Sequence, residues 1–141
     1  MQTFLPYPSF ERTAKSLDMR RLGKQRVEAL QILNSLHGQS GWTNHPAVKM
    51  WSGHIDALVE YGLAICEEWI RRGYNDTCFD KIICLLTDEF EGFETIQYPL
   101  WLGSQKFHRS HKSNLIRKLP EHYHPMWPEV PNDLPYVWPI R

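Results

Sequence analysis

The sequence predicts an all-α fold in a single domain over residues 1–141. It predicts three or four helices, long irregular connections and an aromatic, Pro-rich C-terminal tail. Three observations predict this. Apolar residues recur near a 3.6-residue spacing in separate stretches. Strand signals are weak throughout. A chain of 141 residues can bury one sizeable core but not two.

Taken in order, Pro6 and Pro8 keep the first ten residues from being helical throughout. Met19, Leu22, Ala29, Leu30, Leu33 and Leu36 then form a stripe that predicts a helix from about Leu17 to Leu36. Ser16 and Asp18 are candidate caps for its start, and Gly38 follows its end. Gly23 in its interior costs about 1 kcal/mol against Ala. A loop from Gly38 to Asn44 leads to His45-Pro46, where Pro suits a first helical turn. Val48, Trp51, Ile55, Leu58, Val59, Cys66, Trp69 and Ile70 continue a second stripe. Ser52-Gly53 is a candidate break in it. Arg71 and Arg72 suit its C-terminal dipole, and Gly73 suits its stop. The short apolar stretch from Phe79 to Leu86 stays unassigned, and Asp88 to Glu94 is acidic. Ser104 to Lys118 predicts a third helix, basic and His-rich, anchored by Leu115 and Ile116. After Pro120, prolines alternate with Tyr123, Trp127, Tyr136 and Trp138, which predicts an extended segment wrapped over a core. Most of Trp51, Trp69, Phe90, Phe93 and Trp101 are expected in that core.

Composition narrows the function classes. Hydrophobic residues make up 42% and charged residues 23%, which suits a soluble globular protein rather than a disordered one. No apolar run approaches the length of a membrane span, and MQTFLPYPSFER lacks the pattern of a secretory signal. Cys66, Cys78 and Cys84 form no CxxC pair, so neither a disulfide scaffold nor a thiolate zinc site is expected, and the cytoplasm is the expected location. The zero net charge hides a pattern: +3 over Met1–Leu30, −7 over His54–Glu94 and +3 over Thr95–Arg141. If the basic ends meet, they form a face that attracts a polyanion; otherwise this is ordinary solvated charge.

Two constellations can carry chemistry. The first is Arg20, Arg21, Lys24, Gln25, Arg26 and Glu28. Arg21, Gln25 and Glu28 share one helical face, and Lys24 lies four before Glu28. Two readings are open: a salt-bridged solvated face, or a phosphate-binding surface with one acid/base at its centre. The second runs from Phe107 through His108, Arg109, Ser110, His111, Lys112 and Ser113 to Asn114, followed by Arg117-Lys118. It is rich in phosphate donors, and a solvated helix is the other reading. His122 and His124 follow, but no carboxylate or thiolate stands at a customary metal-ligand spacing, so no metal is expected. An aromatic of the tail is also suited to stacking on a base. No GxSxG, P-loop, GxGxxG or HExxH occurs. An enzyme of this sequence takes its nucleophile from somewhere less usual.

The segment Leu17-Asp18-Met19-Arg20-Arg21-Leu22-Gly23-Lys24-Gln25-Arg26-Val27-Glu28-Ala29-Leu30 resembles the first helix of the pyrimidine-dimer DNA glycosylases, the phage endonuclease V family. In that family a Leu-rich helix near the N-terminus carries the catalytic glutamate, and Val27-Glu28-Ala29-Leu30 stands at the corresponding place. Glu67-Glu68-Trp69-Ile70-Arg71-Arg72-Gly73-Tyr74-Asn75 is similar to the end of the family's long helix. The order of parts is a third likeness: a short lead, a basic helix, His45 at the head of a long helix, and an aromatic tail. As a whole, the chain also resembles a set of small bacterial proteins that open MQTFLPYP, carry LGKQRVEALQIL and end in a YVWP-like tail.

The resemblance implies an all-α enzyme that needs no metal or other cofactor. It implies action on damaged or abasic duplex DNA, here by a monomer with no membrane partner. In that family the α-amine at the chain start attacks C1′ and forms an imine, the base leaves, and β-elimination nicks the backbone. Glu28 would serve as acid/base. Arg20, Arg21, Lys24, Arg26, His45, His108, Arg109, His111 and Lys112 would hold DNA. Gln2 is bulky, which favours retention of Met1, so the amine of Met1 is the expected nucleophile, and that of Gln2 if processing removes Met1. Val27 stands where the family has a basic residue before its glutamate, so Arg21 or Lys24 would take over that phosphate contact. An α-amine, with a pKa of roughly 7.7–8.0 against about 10.4 for Lys, is far more often neutral at pH 7. The alternative is a nucleic-acid-binding module without catalysis.

Overall fold

Ser9 opens the first helix by accepting the Arg12 N–H at 3.1 Å. The computed structural model describes residues 2–38, 44–89 and 96–139, the side chains of 86–89 excepted. The first helix, α1 (Phe10–Ser16), is too short for its periodicity to show in the sequence. The Asp18 carboxylate caps α2 (Met19–Leu36), whose extent agrees closely with the predicted one. The His45 side chain caps the single turn α3 (Pro46–Lys49). Gly53, at φ +81°, then turns the chain before α4 (Ile55–Arg71). The candidate break is thus real, and α4 stops at Gly73, φ +94°.

The unassigned apolar stretch is helical, as α5 (Cys78–Glu89). Asp76 starts it by accepting the N–H groups of Cys78 at 3.1 Å and Phe79 at 2.8 Å. Ser104 caps α6 (Gln105–Lys118). Pro120 begins a one-turn helix, α7 (Pro120–Tyr123), where an extended segment was expected. The described residues hold seven helices and no strand. The surplus over three or four comes from the one- and two-turn pieces and from α5. No helix among the described residues is long and apolar enough to cross a membrane.

Packing is centred on α4, which touches α1, α2 and α5. Leu22, Ala29, Ile32 and Leu33 of α2 and Leu58, Tyr61 and Ile65 of α4 are fully buried between them. Gly23 faces the Trp69 ring so closely that a Cβ there would stand 2.8 Å from it. The cost of glycine in the helix therefore permits a close crossing. Arg72 binds Glu68 and also reaches the carbonyls of Ala14, Lys15 and Leu17, closing the end of α1. Trp51 is fully buried, whereas Trp69 and Trp101 pack at the core's edge. Phe90 and Phe93 lie outside the described residues.

Candidate active site

The residues after the chain start run through the interior as an extended segment, and side chains supply its backbone partners. Gln25 and Glu28 stand three apart on the buried side of α2, at 0% and 8% exposure. The N–H of Gln2 donates to Glu28 Oε2 at 2.8 Å. The Gln25 carboxamide spans Gln2 to Phe4: its Nε2 donates to Gln2 O at 2.8 Å, and its Oε1 accepts from Phe4 N at 2.6 Å. Thr3 Oγ1 accepts the Trp51 indole N–H at 3.2 Å. From α4, the Tyr61 hydroxyl donates to Phe4 O at 2.6 Å, and burial holds that phenol well above its ordinary pKa.

Two histidines of α6 complete the clamp. Leu5 N donates to His111 Nδ1 at 3.1 Å, and His108 Nδ1 lies 2.7 Å from Leu5 O. The carbonyl can only accept, so His108 carries its proton on Nδ1, and its Nε2 accepts from Gly103 N at 2.8 Å. His111 accepts on Nδ1, so its proton sits on Nε2. Burial lowers the pKa of both rings, that of His111 to about 3, and keeps them neutral. Each ring thus has a fixed tautomer, and a second proton would face a backbone N–H.

These positions correct the reading of His108 and His111 as phosphate donors. Their exposures are 5% and 0%, and the Nδ1 atom of each faces Leu5. Ser110, Ser113 and Asn114 likewise turn toward the tail, binding the backbone of residues 134 and 137. Arg26 turns away from the surface, pairing with Asp76 and lying 4.5 Å from the Trp69 ring centre. Arg21 pairs with Asp18 at 3.2 Å and stays partly exposed. Arg20, Lys24 and Arg109 are exposed. Lys112 is half-buried, with Nζ 4.9 Å from the Tyr7 ring centre. His45 is half-buried at the start of α3; burial lowers its pKa, and the nearby Glu28 carboxylate opposes that shift. Met1 lies outside the described residues.

The basic ends of the chain meet. Arg12 and Lys112 approach the same Tyr7 ring, at 4.1 and 4.9 Å. His122 beyond α6 reaches Ser16 O at 3.0 Å, and the Tyr123 hydroxyl bonds Asp18. The sequence reading placed Gln25 on the Glu28 face without giving it a task. Tyr61, Thr3 and Trp51 carried no signal, because Tyr61 binds the Phe4 carbonyl 57 positions away and Trp51 binds the Thr3 hydroxyl 48 positions away. Among the described residues, no three His, Cys, Asp or Glu side chains gather as a metal site would require.

Chemically, the arrangement fixes the first peptide units of the chain against one buried carboxylate. No curated protein and no solved structure matches the chain. The family profile described as pyrimidine dimer DNA glycosylase matches residues 1–82, the stretch that holds α1 to α4 and both Gln25 and Glu28. That match covers more than half of the sequence, and the chain belongs to the pyrimidine dimer DNA glycosylase family.

Proposed function

We propose that this protein is a DNA glycosylase and AP lyase that works as a monomer on damaged or abasic duplex DNA. Family membership supports DNA repair as its role. The observation that carries the finer reading is the 2.8 Å hydrogen bond from Gln2 N to Glu28 Oε2. It ties the backbone one residue from the α-amine of Met1 to a buried carboxylate.

The amine of Met1 attacks C1′ as its neutral form, which an α-amine supplies near neutral pH. On a damaged nucleotide, the C1′–N bond to the base breaks and the base leaves with the bonding pair. Glu28 takes the proton released by the attacking nitrogen and returns one to the sugar oxygen as the ring opens to the protonated imine. Loss of a C2′ proton then expels the 3′ phosphate. The exposed Arg20, Lys24 and Arg109 hold DNA phosphates, with Arg21 and Lys112 at their edges. Flipping the nucleotide out of the stack exposes C1′ to the attacking amine.

Glu28→Gln tests this reading. An amide oxygen still accepts the Gln2 N–H, so the clamp persists while proton transfer is lost. Turnover on an abasic duplex falls by about 10²–10⁴-fold, and DNA affinity changes little. Normal turnover by this variant would remove Glu28 from the mechanism.

A further inference from the structure

Met19 and Tyr74 stand out from the surface as one apolar ridge, at 52% and 38% exposure. They are tethered to each other and to the core. The Tyr74 hydroxyl donates to Met19 Sδ at 3.0 Å. The Tyr74 ring lies against Trp69, with ring centres 4.3 Å apart and planes at 30°. Trp69 is itself fixed. Its indole N–H donates to Asn75 O at 2.8 Å, the Arg26 guanidinium lies 4.5 Å from its ring centre, and its edge seats against Gly23. A methionine has three rotatable bonds, and its thioether is only a weak acceptor. Here a phenol orders it on the outside of the molecule, apart from the core cluster.

The charges beside the ridge decide its partner. On α2, Met19 and Gly23 stand one turn apart, and Arg20 and Lys24 form the adjacent column. Asp18, Glu68 and Asp76 already bind arginines. Arg20 and Lys24 are exposed and pair with no carboxylate among the described residues. The surface thus carries two uncompensated positive charges along the edge of an ordered apolar ridge. An exposed apolar patch rimmed by polar groups marks an interaction site. DNA matches both parts of this one: phosphates for the cations and, beside them, the sugars and base edges of the groove.

We propose that the Met19–Tyr74 ridge is a docking surface for duplex DNA, packed against the sugars and base edges beside the phosphates that Arg20 and Lys24 hold. The inference rests on the DNA-repair reading given above. Met19 stands nine residues before Glu28. That is about 14 Å along the helix and on its opposite side, with the Arg20 and Lys24 column between them. The ridge therefore meets the duplex to one side of the reacting nucleotide and takes no part in the chemistry. Its contact is apolar and releases no counterions, which separates it by experiment from a phosphate contact.

The test measures binding by untagged protein to a duplex with one tetrahydrofuran abasic analogue, which lacks the C1′ hydroxyl and forms no imine. Salt is varied from about 50 to 200 mM. Met19→Ser and Tyr74→Ala should each weaken binding about fivefold at every salt concentration, the scale of one half-exposed apolar side chain left unburied. The slope of log affinity against log salt should keep its wild-type value, whereas Arg20→Gln should reduce it by about one. Met19 is exposed and outside the core cluster, so Met19→Ser should also keep the wild-type urea midpoint. Wild-type affinity in both ridge variants would overturn the proposal and leave the ridge to a protein partner. A loss that comes with a lowered slope would overturn it too, because it would arise at phosphates. A wild-type protein that binds no DNA across the salt range removes the DNA-repair reading itself, and the ridge's task with it.

Discussion

Gln25 and Glu28 divide one backbone segment between them, Gln25 holding Gln2 O and Phe4 N and Glu28 holding Gln2 N. Their shared face is legible in the spacing of Arg21, Gln25 and Glu28, but what the face holds is not. The partner of Glu28 is a backbone nitrogen 26 positions away, and irregular backbone has no side-chain signature. The same limit explains His108 and His111. Two histidines three apart among basic residues look alike whether their face turns outward or inward, and only the Leu5 bonds decide. The buried His111 also has a pH consequence. Its folded-state pKa, about 3, lies below the unfolded value of about 6.5, so the unfolded chain binds the extra proton between them. Its stabilising share is complete above pH 6.5 and is lost as pH falls toward 3, at up to about 1.4 kcal/mol per pH unit. Urea melts from pH 7 to 5 should show that decline, and His111→Gln should flatten it. An equal slope in the variant would place the acid sensitivity elsewhere.

Among the elements, α2 and α4 were legible because each carries a long stripe and a chemically typical end, and α6 through its Leu115 and Ile116 anchors. Asp18, Ser104 and Gly73 cap or stop them as their types suggest. Helix α1 and the one-turn pieces were not legible, because one or two turns leave too few positions for a period to emerge. Helix α5 was hidden by an apolar run that strand and helix share, and it becomes definite only through the Asp76 cap. Gly23 shows tertiary packing overruling propensity. Alanine there would gain roughly 1 kcal/mol in helix propensity. Its Cβ would meet Trp69 at 2.8 Å, however, and that ring is held by Asn75 O at 2.8 Å and by Arg26. Gly23→Ala should therefore lower the stability in urea by about 1–3 kcal/mol, the usual cost of overpacking. A stabilised variant would show that the crossing has slack.

At the scale of the whole molecule, a neutral chain folds so that its two basic ends close around the same segment, residues 2–8. The family match ends at residue 82, yet α6 and the tail from the unmatched half grip that segment, His108 and His111 at Leu5 and Trp127 at the Tyr7 hydroxyl. Glu28 stood out in the first half as the candidate acid/base, and the all-α class was readable from the helical stripes along the chain. The second half's contribution was not, since it consists of contacts more than 100 positions apart in sequence. The proposed function takes the start of the chain as the reacting group. The direct measurement is borohydride trapping of the untagged protein on duplex DNA with a single abasic site, followed by peptide mapping. The account predicts a covalent adduct on the N-terminal residue, abolished when further residues precede Met1. DNA binding without an adduct, or an adduct mapped to a lysine side chain, would contradict it.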